Sequence, residues 1–285
     1  MAELQAIKRR LRSVSNTRQI TKAMQLVAAS KLRRAQMAAL APQPYLAAIR
    51  DMLSRLGSSV DAAQSPLYQR REAINALAIV VTADRGLAGA YNNNIFRELS
   101  KLQRQTGGEL AIITVGKRGS LHLSRITGID EIAAYEMDSR DADAGLARPI
   151  LAEAKELFLS GKCDVVHLIS TRFVSSSVQT VDSRQLLPVA SSDSSSTAAS
   201  PEAEPNPETV LATATERLLE AEVYLSIVEA RASEQAARML AMMNASDNAS
   251  DIIDDLTLAR NNARQSAITQ ELAEISGGAE AVSNN

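Results

Sequence analysis

Tryptophan is absent from this chain of 285 residues, phenylalanine occurs 3 times and cysteine once. Aromatic residues make up 3% of the chain, less than the core of a compact enzyme of this size would use. The lone Cys163 excludes an internal disulfide and suits a reducing compartment. The two histidines, His122 and His167, do not make a zinc site with one cysteine. No apolar run approaches the length of a membrane span, and no secretory apolar region opens the chain. The net charge of -2 carries no global attraction to nucleic acid or membrane. These absences point to a cytosolic chain, or one peripheral on the cytosolic face of a membrane.

Glycine and proline are missing from two long stretches, residues 1–41 and 208–276. Helix formers fill both. At about 1.5 Å per residue the second stretch alone makes a rod roughly 100 Å long, too long for the interior of a compact domain. Two such rods at opposite ends of one chain suggest an antiparallel coiled coil closed by a globular middle. The expected organisation is an N-terminal coiled-coil helix over 1–57, an α/β domain over 73–190, a flexible loop over 191–207 and a C-terminal coiled-coil helix over 208–285.

On the first rod Leu4, Ile7, Leu11 and Val14 share one stripe, which resumes at Ile20, Met24 and Val27. The step from Val14 to Ile20 is shorter than a heptad and predicts a local disturbance of the supercoil. Pro42 and Pro44 should end or kink the helix, and Gly57 should stop the segment that follows. On the second rod the a and d positions carry Leu225, Val228, Ala232, Met239, Met242, Ala249, Ile253, Leu256, Ala263 and Ala267, interrupted by Gln235, Ser246, Arg260 and Gln270. A seam this rich in Ala and Ser permits close approach and binds weakly.

The middle of the chain changes period. ALAIVVT (76–82), LAIITV (110–115) and VVHLIS (165–170) read as buried strands. Segments 92–105, 116–125 and 147–160 read as helices. The alternation argues for a small Rossmann-like layer with a mostly parallel sheet. Residues 178–189 form a looser extended segment ending at Pro188. Residues 191–207, rich in Ser, Ala, Pro and Asp, read as a linker or exposed loop. Pro207 stands where a helix tolerates proline, beside the first turn.

Candidate chemistry is sparse. TADRGLAGAYNNN (82–94) follows a strand, as phosphate loops do, but neither G-x-x-x-x-G-K-[ST] nor G-x-G-x-x-G is present. GKRG (116–119) also follows a strand, and Lys117 could meet a phosphate; both segments also read as strand-to-helix turns. His167 reads as a strand residue with a satisfied ring. No G-x-S-x-G elbow exists, and no catalytic constellation emerges, so no cofactor or metal is expected. Residues 1–35 hold Lys8, Arg9, Arg10, Arg12, Arg18, Lys22, Lys31, Arg33 and Arg34 against Glu3. This basic helix fits a transit peptide, a nucleic-acid or membrane surface, an acidic protein partner, or a solvated face.

The two ends carry a specific resemblance. TRQITKAMQLVAASKLRRAQ, within and just beyond residues 7–34, resembles the N-terminal helix of the gamma subunit of F-type ATP synthase. ITQELAEISGGAEA (268–281) is similar to that family's C-terminal signature, with Glu271, Glu274, Gly278 and Ala279. SEQAARM (233–239), ARQS (263–266), DRGLAGAYNNNIF, RQLLPV and the Glu204-Pro-Asn-Pro207 segment match in order. Ala88 and Ala90 stand where the family usually shows Cys and Gly, Pro42 is additional, and no cysteine-bearing regulatory insert is seen.

The resemblance implies a non-catalytic rotor. Its paired terminal helices would form a shaft inside a ring of alpha and beta subunits. Its α/β domain would stand on the c-ring beside the epsilon subunit. Nucleotide sites would lie on the neighbours, with no nucleic acid bound and no membrane insertion. Position by position, it implies contact with the beta lever at Lys22 and Met24. Coupling and the catch with beta would fall to Arg238, Arg264, Gln265, Thr269 and Glu271, and the c-ring foot to Glu204. It places the chain peripherally on the cytoplasmic face of a bacterial inner membrane, and it assigns the basic segment to the mature helix.

Overall fold

A computed structural model of the chain describes residues 2–56, 65–126, 129–137, 144–190, 204 and 206–283. Gly57 and most of the Ser-rich segment, 191–203 and 205, lie outside them. The elements run α1 (Ala2–Leu40), α2 (Gln43–Leu56), β1 (Ala76–Val81), α3 (Tyr91–Gln105), β2 (Leu110–Val115), α4 (Lys117–Leu123), β3 (Asp130–Tyr135), α5 (Ala144–Leu159), β4 (Val165–Phe173), β5 (Gln179–Leu187) and α6 (Pro207–Ser283). The described chain divides into two units, residues 1–27 with 239–285, and residues 28–238.

The first unit pairs the outer parts of the terminal helices as an antiparallel coiled coil. On α6 the heptad holds: Met242, Ser246 and Ala249 are buried, and Met239, Ile253, Leu256, Arg260, Ala263 and Ala267 are half-buried. The polar interruptions Ser246 and Arg260 therefore sit in the seam. On α1 the expected break in register is absent. Leu4, Ile7, Leu11 and Val14 are half-buried, and the same spacing continues through Thr21, 8% exposed, and half-buried Gln25. Ile20 and Val27, expected on the stripe, are 60% and 56% exposed. The seven-residue spacing runs from Val14 to Thr21 past an exposed Arg18 and on to Gln25, so an apolar count skips to the wrong face. Thr21 Oγ1 donates to the Arg18 carbonyl at 3.0 Å, satisfying the hydroxyl within its own helix.

In the second unit α1 ends at Leu40, and Pro42 forms the turn before α2. Proline cannot supply the backbone N–H that would continue the ladder; its carbonyl accepts from Leu46 N at 2.9 Å instead. Leu46 and Ile49 of α2 pack on Leu218 and Ala221 of α6.

The sheet has the order β3-β2-β1-β4-β5, parallel except for β5, which pairs antiparallel with β4. β1, β2 and β4 are apolar because both faces are covered. Leu77, Ile79 and Val81 point to one core, with Ile150, Ala154 and Phe158 of α5 and Leu219, Val223 and Ile227 of α6. Ala78 and Val80 point to the other, with Tyr91, Ile95 and Leu99 of α3. β3, absent from the sequence reading, is an edge strand with an exposed-to-half-buried pattern and a register shift against β2. It shows neither the continuous apolar run nor the strict alternation that marks a strand. Asn206 caps α6, its Oδ1 accepting from Thr209 N at 2.8 Å, and Pro207 takes the first helical position.

Candidate functional site

A doubly wound sheet offers its ligand site where strand order reverses, outside the carboxyl ends of the strands. Here that point lies between β1 and β4. The segment after β1, residues 82–90, turns sharply, with Leu87 at φ 62 and Gly89 at φ 57. Asn92 Oδ1 accepts from Ala83 N at 3.0 Å and Asp84 Oδ1 from Lys117 N at 3.0 Å. Both side chains are thus spent on holding the turn. After β2, Gly116 takes φ 104. Lys117 pairs with Glu136 at 2.9 Å, which raises its already high pKa. GKRG is a strand-to-helix turn.

The crevice is filled by α6. Its residues 230–238 lie across the carboxyl ends of β1 and β4. Tyr91 Oη donates to the Ala230 carbonyl at 3.1 Å, and Ser233 Oγ to the Thr171 carbonyl at 3.2 Å. Arg238 Nη2 is shared among the Arg85 carbonyl at 3.1 Å, the Gly86 carbonyl at 3.2 Å and Glu234 Oε1 at 2.6 Å. Glu234 and Arg238 are 6% and 8% exposed. Burial raises the Glu234 carboxyl above its usual range, and the Arg238 guanidinium opposes that rise. Burial also raises the Tyr91 hydroxyl, so it stays a donor. Further back, α6 is tied down by charge. Arg50 meets Glu222 at 2.7 Å, Lys155 meets Glu216 at 2.6 Å and Arg148 meets Glu220 at 3.4 Å. Arg184 bonds the Glu222 carbonyl and Ser226 Oγ.

Among the described residues no group of His, Cys, Asp and Glu could hold a metal ion. His167 departs from expectation. It lies in β4, half-buried, and its Nδ1 is buried without a hydrogen-bond partner among the described residues. Desolvation lowers its pKa, keeping the ring neutral.

The residues singled out in the sequence divide between the two units. Lys22, exposed, and Met24, half-buried, lie on α1 in the helix-pair unit. Arg264, Gln265, Thr269 and Glu271 are all exposed on α6 in the same unit. At about 100° per residue, Gln265 and Thr269 face away from the seam while Arg264 and Glu271 flank it. Thr269 Oγ1 donates to the Gln265 carbonyl at 3.0 Å. Beside them Ile268, Leu272 and Ile275 are 48%, 62% and 69% exposed. Arg238 belongs to the other unit and is turned inward. Glu204, also there, is exposed and lines a cavity of about 430 Å³ with Tyr45, Ile49, Met52 and Thr213. Sequence reasoning missed the Glu234–Arg238 pair as a structural clamp. Its signal was the four-residue spacing of opposite charges inside SEQAARM.

A sequence model of the ATP synthase family matches residues 3–282. The gamma chain of ATP synthase from Moorella thermoacetica is 39% identical over 282 residues, covering 99% of this chain and 100% of that one. The chain belongs to the ATP synthase gamma chain family. A chain in the cryo-EM structure of the Tetrahymena thermophila mitochondrial ATP synthase central stalk and c-ring has a TM-score of 0.62 at 25% identity, covering 80% of this chain and 99% of that one. One in the Euglena gracilis mitochondrial enzyme has a TM-score of 0.72 at 18% identity, covering 99% and 95%, and shares the fold. Ala90 precedes α3 at φ -83, a conformation that needs no glycine. Ala88, 3% exposed, sits in the core.

Proposed function

We infer that this chain is the central-stalk rotor of an F-type ATP synthase. It couples ion-driven rotation of the c-ring to ATP synthesis and hydrolysis at sites on the surrounding alpha and beta subunits. The observation that carries this reading is the exposed stripe Ile268, Leu272 and Ile275 near the end of α6, with Leu258 also exposed further back. Apolar side chains in a row mark a surface with a partner, and a ring closing round the helix would cover them from outside. Ile20, Leu26 and Val27, 56–63% exposed, present a second such surface on α1.

The chemistry suits a bearing. Lys8, Arg9, Arg10, Arg12, Arg18 and Lys22 are exposed and have no ion-pair partner among the described residues. They are available to an acidic lever on beta. Exposed pairs are worth about 0–1 kcal/mol each, enough to guide a passing surface and too little to hold it. Lys22 and Met24 meet that lever; Arg264, Gln265, Thr269 and Glu271 form the catch. Glu204 belongs to the foot facing the c-ring, beside the epsilon subunit. The chain has no catalytic site of its own, a reading supported by the occupation of the sheet's crevice by α6. No described helix is long and apolar enough to cross a membrane, and attachment to the cytoplasmic face of a bacterial inner membrane runs through the c-ring.

The test is co-expression with alpha and beta subunits, an ATPase assay, and single-molecule rotation of a probe on Lys101→Cys, an exposed position on α3. Stepwise, unidirectional, ATP-driven rotation is expected. A complex that hydrolyses ATP without turning would make the chain a static plug, and absence of any complex would return it to a scaffold role.

A further inference from the structure

We propose that Arg238 is a positioning residue. With Glu234 it latches α6 to the segment after β1, so that sheet and helix move as one body under load. The proposal rests on the rotor reading for its purpose and on geometry for its substance. Two features single out this contact among those that hold α6. The other ion pairs, at Glu216, Glu220 and Glu222, each have one exposed member, and exposed pairs yield readily. Glu234 and Arg238 are both buried. The guanidinium also terminates two carbonyls, those of Arg85 and Gly86, in a turn held by left-handed φ at Leu87 and Gly89.

The two bonds are part-buried, and a bond from a charged donor is roughly twice as strong as a neutral one. The donor is supplied by a residue 152 or more positions away in sequence. Asn92 and Asp84 hold the turn from the sheet side, and Arg238 ties it to α6. Conversely, Glu234 and Arg238 travel together on α6, so sliding the helix along the sheet breaks the guanidinium's bonds to the two carbonyls. Packing of small residues such as Ala230, Ser233 and Ala236, each nearly fully buried, resists lifting. The latch resists sliding, which smooth apolar contact does not.

The test uses the chain assembled with its alpha and beta subunits. Hydrogen exchange of the amides of residues 83–90 is compared between wild type, Arg238→Ala, Glu234→Gln and the exchanged pair Glu234→Arg/Arg238→Glu. Arg238→Ala should speed exchange of that segment at least tenfold and reduce torque in rotation against viscous load. Glu234→Gln, which leaves the carbonyl bonds in place, should speed it about threefold. The exchanged pair should recover thermal stability without recovering protection, because a carboxylate at 238 cannot donate to the carbonyls. Full recovery of protection by the exchanged pair would reduce the contact to an ordinary ion pair and overturn the proposal. So would unchanged exchange in Arg238→Ala or, should that variant not assemble, in Glu234→Gln. If the wild-type complex does not rotate, the rotor reading fails while the exchange data still decide the latch.

Discussion

Replacing Gly116 with alanine tests how the sheet's carboxyl edge is built. Gly116 follows β2 with φ 104 and ψ 134, a region that side chains rarely adopt, and holding a non-glycine residue there costs about 1–3 kcal/mol. Space is a second obstacle. A Cβ at this position would lie 2.3 Å from the Thr82 carbonyl oxygen and 2.8 Å from its carbon. Both are backbone atoms of a fully buried residue, so no flexible side-chain end can swing aside. Relief requires moving the end of β1 from β2. That motion weakens the bond from Thr82 N to the Val115 carbonyl at 2.7 Å and those from Thr82 Oγ1 to the Val115 and Gly116 carbonyls at 3.1 Å, each worth about 0.5–1.5 kcal/mol net. The expected loss is about 4 kcal/mol, at the upper end for single substitutions. Urea unfolding of the full-length chain measures it. Gly107→Ala is the matched control: its Cβ meets nothing within 4 Å, and it should change stability by less than about 0.5 kcal/mol. A loss below about 1 kcal/mol at Gly116, or equal losses at the two glycines, would refute the reasoning.

Gln265→Ala and Arg264→Ala, both at exposed helix positions, should shift folding stability by less than about 0.5 kcal/mol yet impair ATP synthesis in the assembled complex; normal synthesis would remove them from the catch. Burial pushes the Cys163 thiol up to about 11, so a thiol reagent at pH 8 should leave it unmodified in the folded chain and react in urea. Rapid modification without denaturant would contradict its burial. His167 has a lowered pKa through desolvation, so the unfolded chain binds its proton more readily. Its contribution to stability is present above the ordinary histidine value of 6.5 and is lost as pH falls below it. His167→Gln should flatten that part of the stability profile, and an unchanged slope would place the titration elsewhere.

Strands with two covered faces were legible in the sequence because β1, β2 and β4 are uninterrupted apolar runs. β3 was not, because an edge strand bearing Asp130 and Glu131 satisfies no simple period. The α6 seam was read correctly through its polar interruptions, since enough Met, Ile and Leu residues kept the count. The α1 seam was misplaced where Thr21 and Gln25 occupy core positions and Ile20 and Val27 face outward. That inversion also marks function, because apolar residues excluded from a protein's own seam are available to something else. Motifs located the terminal signatures but not what Arg238 touches. Its partners are main-chain carbonyls, which have no letter in the sequence.

The helix across the sheet's crevice can also be described as a tethered ligand. A covalently attached occupant competes at an effective concentration on the order of millimolar, and this one is further held by buried charge and hydrogen bonds. A diffusible nucleotide seeking the place that a doubly wound sheet usually offers would have to displace it. The fold thus retains the doubly wound architecture while the Ala230 carbonyl and the side chains of Ser233 and Arg238 lie where such a sheet usually takes a ligand.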